Sequence, residues 1–176
     1  MDGRQTMNGR VVVGFAPTLT GYEALRYAVT QARGRAAALV VVHAVRLDPH
    51  ESWAENRLPL TVAVTKQVTT AFQEALGGVP ADLTVLVLVE AGPLDLVLQA
   101  AADRPDDLLV MGACTRRRLG ALTHGATLRR TLRSAVCPVV VVPPPAMARL
   151  GSAARLGRDA VAELEHYLQQ PVELTS

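Results

Sequence analysis

Short, unbroken apolar runs alternate with longer stretches in which apolar residues recur every three or four positions. The runs are Arg10–Gly14 (RVVVG), Ala37–Val45 (AALVVVHAV), Leu83–Val89 (LTVLVLV), Leu108–Met111 (LLVM) and Val139–Val142 (VVVV). Apolar runs of this length, rich in β-branched residues, fit strands covered on both faces of a parallel sheet. The intervening stripes are Leu25, Ala28, Val29 and Ala32; Val64, Val68, Ala71, Phe72 and Ala75; Leu94, Val97, Leu98 and Ala101; and Leu128, Leu132, Ala135 and Val136. Each marks one face of a helix. Five strands alternating with four helices predict an α/β fold, an open five-stranded parallel sheet with helices on both faces.

Local chemistry sets the expected boundaries. Thr20–Glu23 fits a capping box that opens the first helix, and Gly34 is expected to end it. A polar loop containing Trp53 and Pro59 precedes the second helix, which Gly77 and Gly78 stop. Gly92 and Pro93 open the third helix, with proline where a missing N–H costs nothing. Pro138 opens the last strand, where a first-position proline is tolerated. Residues 1–9 read as a flexible arm and 10–143 as the domain. Residues 144–176 read as an extension with one helix, striped by Leu156, Ala160, Val161, Leu164 and Leu168 and stopped before Pro171.

Composition narrows the class. The 176 residues are 49% apolar with mean hydropathy +0.21, and only 3% are aromatic. The chain is therefore globular, with a core built from valine, leucine and alanine. No apolar run approaches the roughly 20 residues of a membrane helix. The first ten residues, MDGRQTMNGR, lack the apolar segment of a secretory signal, so a cytoplasmic location is expected. Cys114 and Cys137 match neither a disulfide framework nor a metal motif; Cys114, although beside arginines, reads as a passive loop residue.

Charge is unevenly placed. The net charge is +2, yet residues 108–158 hold nine arginines and no acid. Such asymmetry favours a small anionic ligand. The scarcity of stacking aromatics and the lack of a nucleic-acid fold signature argue against DNA or RNA. The most informative stretch is 107–142, which reads as strand, glycine-punctuated basic loop, helix and strand. A loop leading from a buried strand to a helix N-terminus is where open α/β sheets bind anions and nucleotides. By contrast, catalytic chemistry is sparse. There is no H-x-x-x-H set, no triad signature and no Walker lysine, the sole lysine being Lys66 in a helix. His43 suits a structural hydrogen bond, His124 lacks a recognisable partner for general-base work, and Trp53 suits packing.

The ordered landmarks RVVVG, VVVHAV, EAGPLDLVLQAA, DDLLVMG and CPVVVV resemble the universal stress protein family over about Arg10 to Pro143. The resemblance implies strand order 3-2-1-4-5, a Rossmann-like fold of the adenine nucleotide alpha hydrolase type. It also implies a nucleotide site between the ends of the first and fourth strands. ATP-binding members carry G-x2-G-x9-G-(S/T) after strand four and an acidic residue after strand one. Here Gly112 and Gly125 match, but Thr115 replaces the middle glycine, Ala126 the terminal hydroxyl and Ala16 the acid.

The candidate nucleotide site is thus Gly14, Phe15, Ala16, Ala44, Val45, Met111, Gly112, Ala113, Thr115, Arg116, Gly125, Ala126 and Thr127, with Phe15 expected to crowd the nucleoside cleft. Each lost contact to a charged group removes ~1.5–3 kcal/mol. The expectation is a non-enzymatic stress-response protein that binds ATP weakly or not at all and requires no cofactor. An alternative is an ATP- or AMP-binding protein that compensates through Thr127 and Arg116 to Arg118. A second alternative, an ATP hydrolase, lacks the obvious carboxylate. The family order also leaves Val139, Val140, Val141 and Val142 at a sheet edge, where a second copy is expected to pair in a homodimer.

Overall fold

The computed structural model describes residues 9–48, 50–113, 125–143 and 145. The chain divides into two units after Pro143, and of the second only Pro145 is described. The N-terminal arm up to Asn8, the expected C-terminal helix, Cys114, Thr115, the three loop arginines and His124 lie outside the described residues.

The elements are β1 (Val11–Gly14), α1 (Leu19–Arg35), β2 (Leu39–Val45), α2 (Trp53–Leu76), β3 (Val85–Ala91), α3 (Leu94–Ala101), β4 (Leu108–Gly112), α4 (Ala126–Ser134) and β5 (Val139–Val142). The five strands form one sheet in the order β3-β2-β1-β4-β5, and every neighbouring pair is parallel. The family's strand order is therefore observed.

Unbroken apolar runs are explained by two cores. Val11, Val13, Leu39, Val41, Leu108 and Val110 pack with Leu25, Val29, Val68 and Phe72 beneath α1 and α2. The alternate residues Val12, Val40, Val42, Leu109 and Met111 pack with Val97, Leu98 and Leu128 beneath α3 and α4. Because successive side chains point to opposite faces, a strand filling both cores must be apolar throughout.

Several boundaries differ from expectation. Thr18, not Thr20, caps α1, its hydroxyl accepting the Gly21 N–H at 3.1 Å. The cap moves because the preceding loop folds over the first turn: a Cβ on Gly21 would lie 2.0 Å from the Ala16 carbonyl oxygen. Gly34 lies within α1 and does not end it. Instead Ala36 takes the left-handed conformation at φ 50°, while the N–H groups of Ala36 and Ala37 bond the carbonyls of Arg33 and Ala32. This is a Schellman closure made by an alanine, which carries a steric penalty that glycine avoids.

Trp53 starts α2, and Pro59 lies inside it, so the expected polar loop is shorter. Pro59 is exposed and removes only the bond to the Glu55 carbonyl, near the helix start. Trp53 is half-buried and packs on the α1–α2 core, as a packing residue should. Gly77, at φ 77°, ends α2 as read from the sequence.

Candidate functional site

The chain passes from β1 to β2 on one side and from β4 to β5 on the other, so the carboxyl ends of β1 and β4 flank a topological switch point. There Gly14 pairs in register with Met111. In open α/β sheets this crevice is the ligand-binding position.

Small residues here serve packing first. A Cβ on Gly112 would lie 2.8 Å from the carbonyl oxygen of Thr20, so the end of β4 presses against the backbone of α1's first turn. A Cβ on Gly14 would meet Leu98 Cδ2 at 3.2 Å. Ala113 is half-buried, and its N–H donates to the Val142 carbonyl at 2.8 Å.

The structure corrects the reading of Phe15. Its side chain is buried in the α1–α2 core, edge-on to Tyr22 with ring centroids 6.1 Å apart, and does not crowd the crevice. Its backbone is fixed from both sides. The Phe15 N–H donates to Val42 at 2.9 Å, and its carbonyl accepts from His43 Nδ1 at 3.1 Å. His43 therefore has the structural role expected for it.

Ala44 and Val45 do not act as one wall. Ala44 packs toward the α3–α4 core and Val45 toward the α1–α2 core, as consecutive strand residues must. The Val45 carbonyl accepts the N–H of Gly92, whose φ of 144° favours glycine. Met111 is buried with Leu109 in the α3–α4 core.

What faces solvent is sparse. Ala16, after β1, is exposed, as is Ala126 at the first position of α4. Thr127 beside it is half-buried. Gly125 precedes α4 with φ −54° and ψ 152°, and among the described residues no side chain caps the helix. Helix N-termini of this kind carry first-turn N–H groups that water or an anion can satisfy. Thr115 and Arg116 lie outside the described residues. No group of three or more His, Cys, Asp or Glu among the described residues is placed to hold a metal, and no helix among them is long and apolar enough to cross a membrane.

The model of the universal stress protein family matches residues 7–143. The chain belongs to that family. A universal stress protein of Thermus aquaticus, from the QAH/OAS sulfhydrylase 3′ region, is 32% identical over 118 residues, covering 65% of this chain and 84% of that protein. Universal stress protein UspA from Lactobacillus plantarum is similar in fold, with TM-score 0.58, 19% identity and coverage of 78% of this chain and 99% of that one. A universal stress protein crystallised in complex with cAMP gives TM-score 0.57 at 19% identity, covering 80% of this chain and 100% of that one.

One polar pair beside the crevice was not anticipated from the sequence. Asp95, buried in the first turn of α3, accepts two hydrogen bonds from Arg130 of α4: Nε to Oδ2 at 2.8 Å and Nη2 to Oδ1 at 3.2 Å. The guanidinium holds the Asp95 carboxyl below the ordinary carboxylate range. In this universal stress protein the pair pins α4, whose N-terminus borders the crevice, to α3. The available signal was an acid at a helix N-terminus, where the dipole favours it. Nothing in the local spacing named Arg130 as its partner.

Proposed function

We propose that this universal stress protein is a non-enzymatic, cytoplasmic stress-response protein that works by binding, with a nucleotide loop that holds ATP weakly or not at all. It acts as a homodimer paired through Val139 to Val142. Residues 10–143 form the functional domain and 144–176 an appended segment. The observation that carries this reading is the exposure of Ala16, just after β1, and of Ala126, the first residue of α4. These are the positions where the family pattern calls for a carboxylate and a hydroxyl, and a methyl group offers neither. Two or three missing contacts of ~1.5–3 kcal/mol each weaken binding roughly a hundredfold or more. The absent carboxylate also argues against ATP hydrolysis.

A second reading has a specific observation behind it: ATP or AMP held through a remodelled, arginine-rich loop. The uncapped first turn of α4 and the neighbouring Thr127 supply donors that an anion can use. A protein of the same fold was crystallised with cAMP, so this architecture accommodates an adenine nucleotide. Calorimetric titration with ATP and AMP, with and without magnesium, separates the two readings. The first predicts no saturable heat below roughly 100 µM, and low-micromolar binding establishes the second. Steady phosphate release above that of an Arg116→Ala control would instead revive the hydrolase.

A further inference from the structure

The two edges of the sheet offer a partner different amounts of backbone. At β3 the Leu39 N–H donates to the Thr84 carbonyl and the Gly92 N–H to the Val45 carbonyl, so even-numbered residues turn toward β2. Consecutive strand residues alternate, and Val85, Val87, Val89 and Ala91 therefore aim their N–H and C=O groups away from the sheet. At β5 the Pro138 and Val142 carbonyls accept from Leu109 and Ala113, so within that strand Val139 and Val141 aim outward. β3 thus presents twice the edge.

Its own sequence carries none of the usual edge defences. β3 has no proline or lysine, and its register with β2 runs through seven consecutive pairs without a bulge. Its one charge, Glu90, is paired with Arg57 of α2 at 3.7 Å. Leu86, on the α3 side of the sheet, is 53% exposed. On the other side α2 packs over β3, while α1 packs over β1 and β4. Tyr22 of α1 donates to Glu74 of α2 at 2.7 Å. Leu58 lies about 160° around α2 from Glu74, on the flank turned away from α1, and is 74% exposed.

The strand is also its own complement. Residues 85–89 read Val-Leu-Val-Leu-Val, the same in both directions. A two-fold axis through Val87, perpendicular to the sheet, sets a second copy of β3 antiparallel to the first. Val87 then faces Val87 of the second copy, and Val85 faces Val89, in hydrogen-bonded pairs that use the outward groups of both strands. Leu86 faces Leu88 in the closer pairs between them, and Thr84 meets Glu90, polar against polar. An axis through Leu88 would instead set each Glu90 carboxylate against Leu86. Apolar pairs directly opposite one another stabilise a ladder, and a desolvated carboxylate does not.

We propose that β3 is a self-association edge: a second copy of this chain pairs with it antiparallel about Val87 and continues the sheet across the axis. The interface is separate from the β5 pairing proposed above and does not rest on it. A chain that uses both edges assembles beyond the dimer.

Sedimentation velocity of the full chain at micromolar concentrations tests it. Val141→Pro blocks the β5 edge and leaves β3 untouched; this variant is expected to remain a dimer. Val87→Pro removes an outward N–H and nothing from the ladder with β2, the orientation in which edge strands tolerate proline. Leu86→Lys places a charge at an already exposed position of the same edge. Either change, added to Val141→Pro, is expected to raise the dimer dissociation constant at least about tenfold. Leu86→Cys/Leu88→Cys, oxidised and mapped by peptide mass spectrometry, is expected to join position 86 of one copy to position 88 of the other. A monomeric Val141→Pro variant overturns the β3 interface and leaves the β5 homodimer standing. Association that survives both β3 changes, or a disulfide between like positions, also overturns the pairing about Val87. A dimer unchanged by Val141→Pro but lost with Leu86→Lys supports the β3 interface and overturns the β5 homodimer instead.

Discussion

The two ends of the β1–β4 strand pair are built from opposite materials. At the amino end Asp107 is fully buried, yet it accepts from the Arg10 backbone N–H at 2.8 Å, from Arg10 Nε at 3.2 Å and from Nη2 at 2.6 Å. Arg10 reaches on to Asp103 at 2.6 Å. At the carboxyl end, a few residues away along the same strands, Gly14, Ala16 and Gly112 offer no polar side chain at all. Buried charge at one end locks the central strands in register, while Gly14, Ala16 and Gly112 present none at the other end, where ligands bind in folds of this kind. Stability and binding are thus separable along one pair of strands.

The largest test of that contrast is Arg10→Ala. It strands a buried carboxylate and is expected to cost about 3 kcal/mol in urea unfolding. Ala16→Asp, in the exposed loop at the other end, is expected to stay within about 0.5 kcal/mol. Equal effects at both ends would dissolve the comparison.

Acid titration sharpens it. Burial alone would raise the Asp107 carboxyl, but hydrogen bonds and charge from Arg10 hold it below the usual value; Asp95 is lowered by Arg130. Depressed folded-state values contribute stability that is fully present above the unfolded value of about 3.9, and that is lost as pH falls through the folded values. Stability should therefore decline from about pH 4 downward. Asp107→Asn should flatten that decline, as read by unfolding midpoints across pH. An unchanged acid limb would show that the pair contributes nothing to it.

Gly112→Ala probes the bare end directly. The added methyl meets the Thr20 backbone at 2.8 Å, so a loss of about 1–3 kcal/mol is expected, with α1's first turn displaced. Tolerance within 0.5 kcal/mol, on the scale of about 0.5 kcal/mol for neutral surface changes, would mean that the contact yields easily. The smallest effect belongs to Ala36→Gly, away from both ends. Relief of the left-handed alanine should raise stability by up to about 1 kcal/mol, measurable as a shift in the urea midpoint.

The five strands and the two-sided burial were legible because parallel strands covered on two faces leave an unmistakable apolar run, as in Val11–Val13 and Val139–Val142; the order of the strands was implied by the family resemblance. The helix ends were less so. Thr20–Glu23 satisfies the capping pattern, but a backbone contact between Ala16 and Gly21, invisible in sequence, gives the cap to Thr18. Likewise Gly34 looks like a stop, while the Ala32 and Arg33 carbonyls are closed from Ala36 and Ala37.

At the crevice, the sequence put Gly14 and Gly112 at the ends of the first and fourth strands, where β1 and β4 do end. It could not tell that Phe15 turns inward onto Tyr22, because burial of a loop aromatic depends on the partner that α1 brings. Nor could it pair Asp95 with Arg130, which are 35 positions apart. Thr115 remains a candidate carried by the family pattern, and Arg116 one carried by its charge beside it.

The most direct test restores the missing groups. Calorimetry of ATP binding to the parent and to an Ala16→Asp/Thr115→Gly/Ala126→Ser variant should show negligible binding by the first. The second should gain roughly a hundredfold or more in affinity. A parent that already binds ATP in the low micromolar range, or a variant no better than the parent, would contradict the account of a bared nucleotide site.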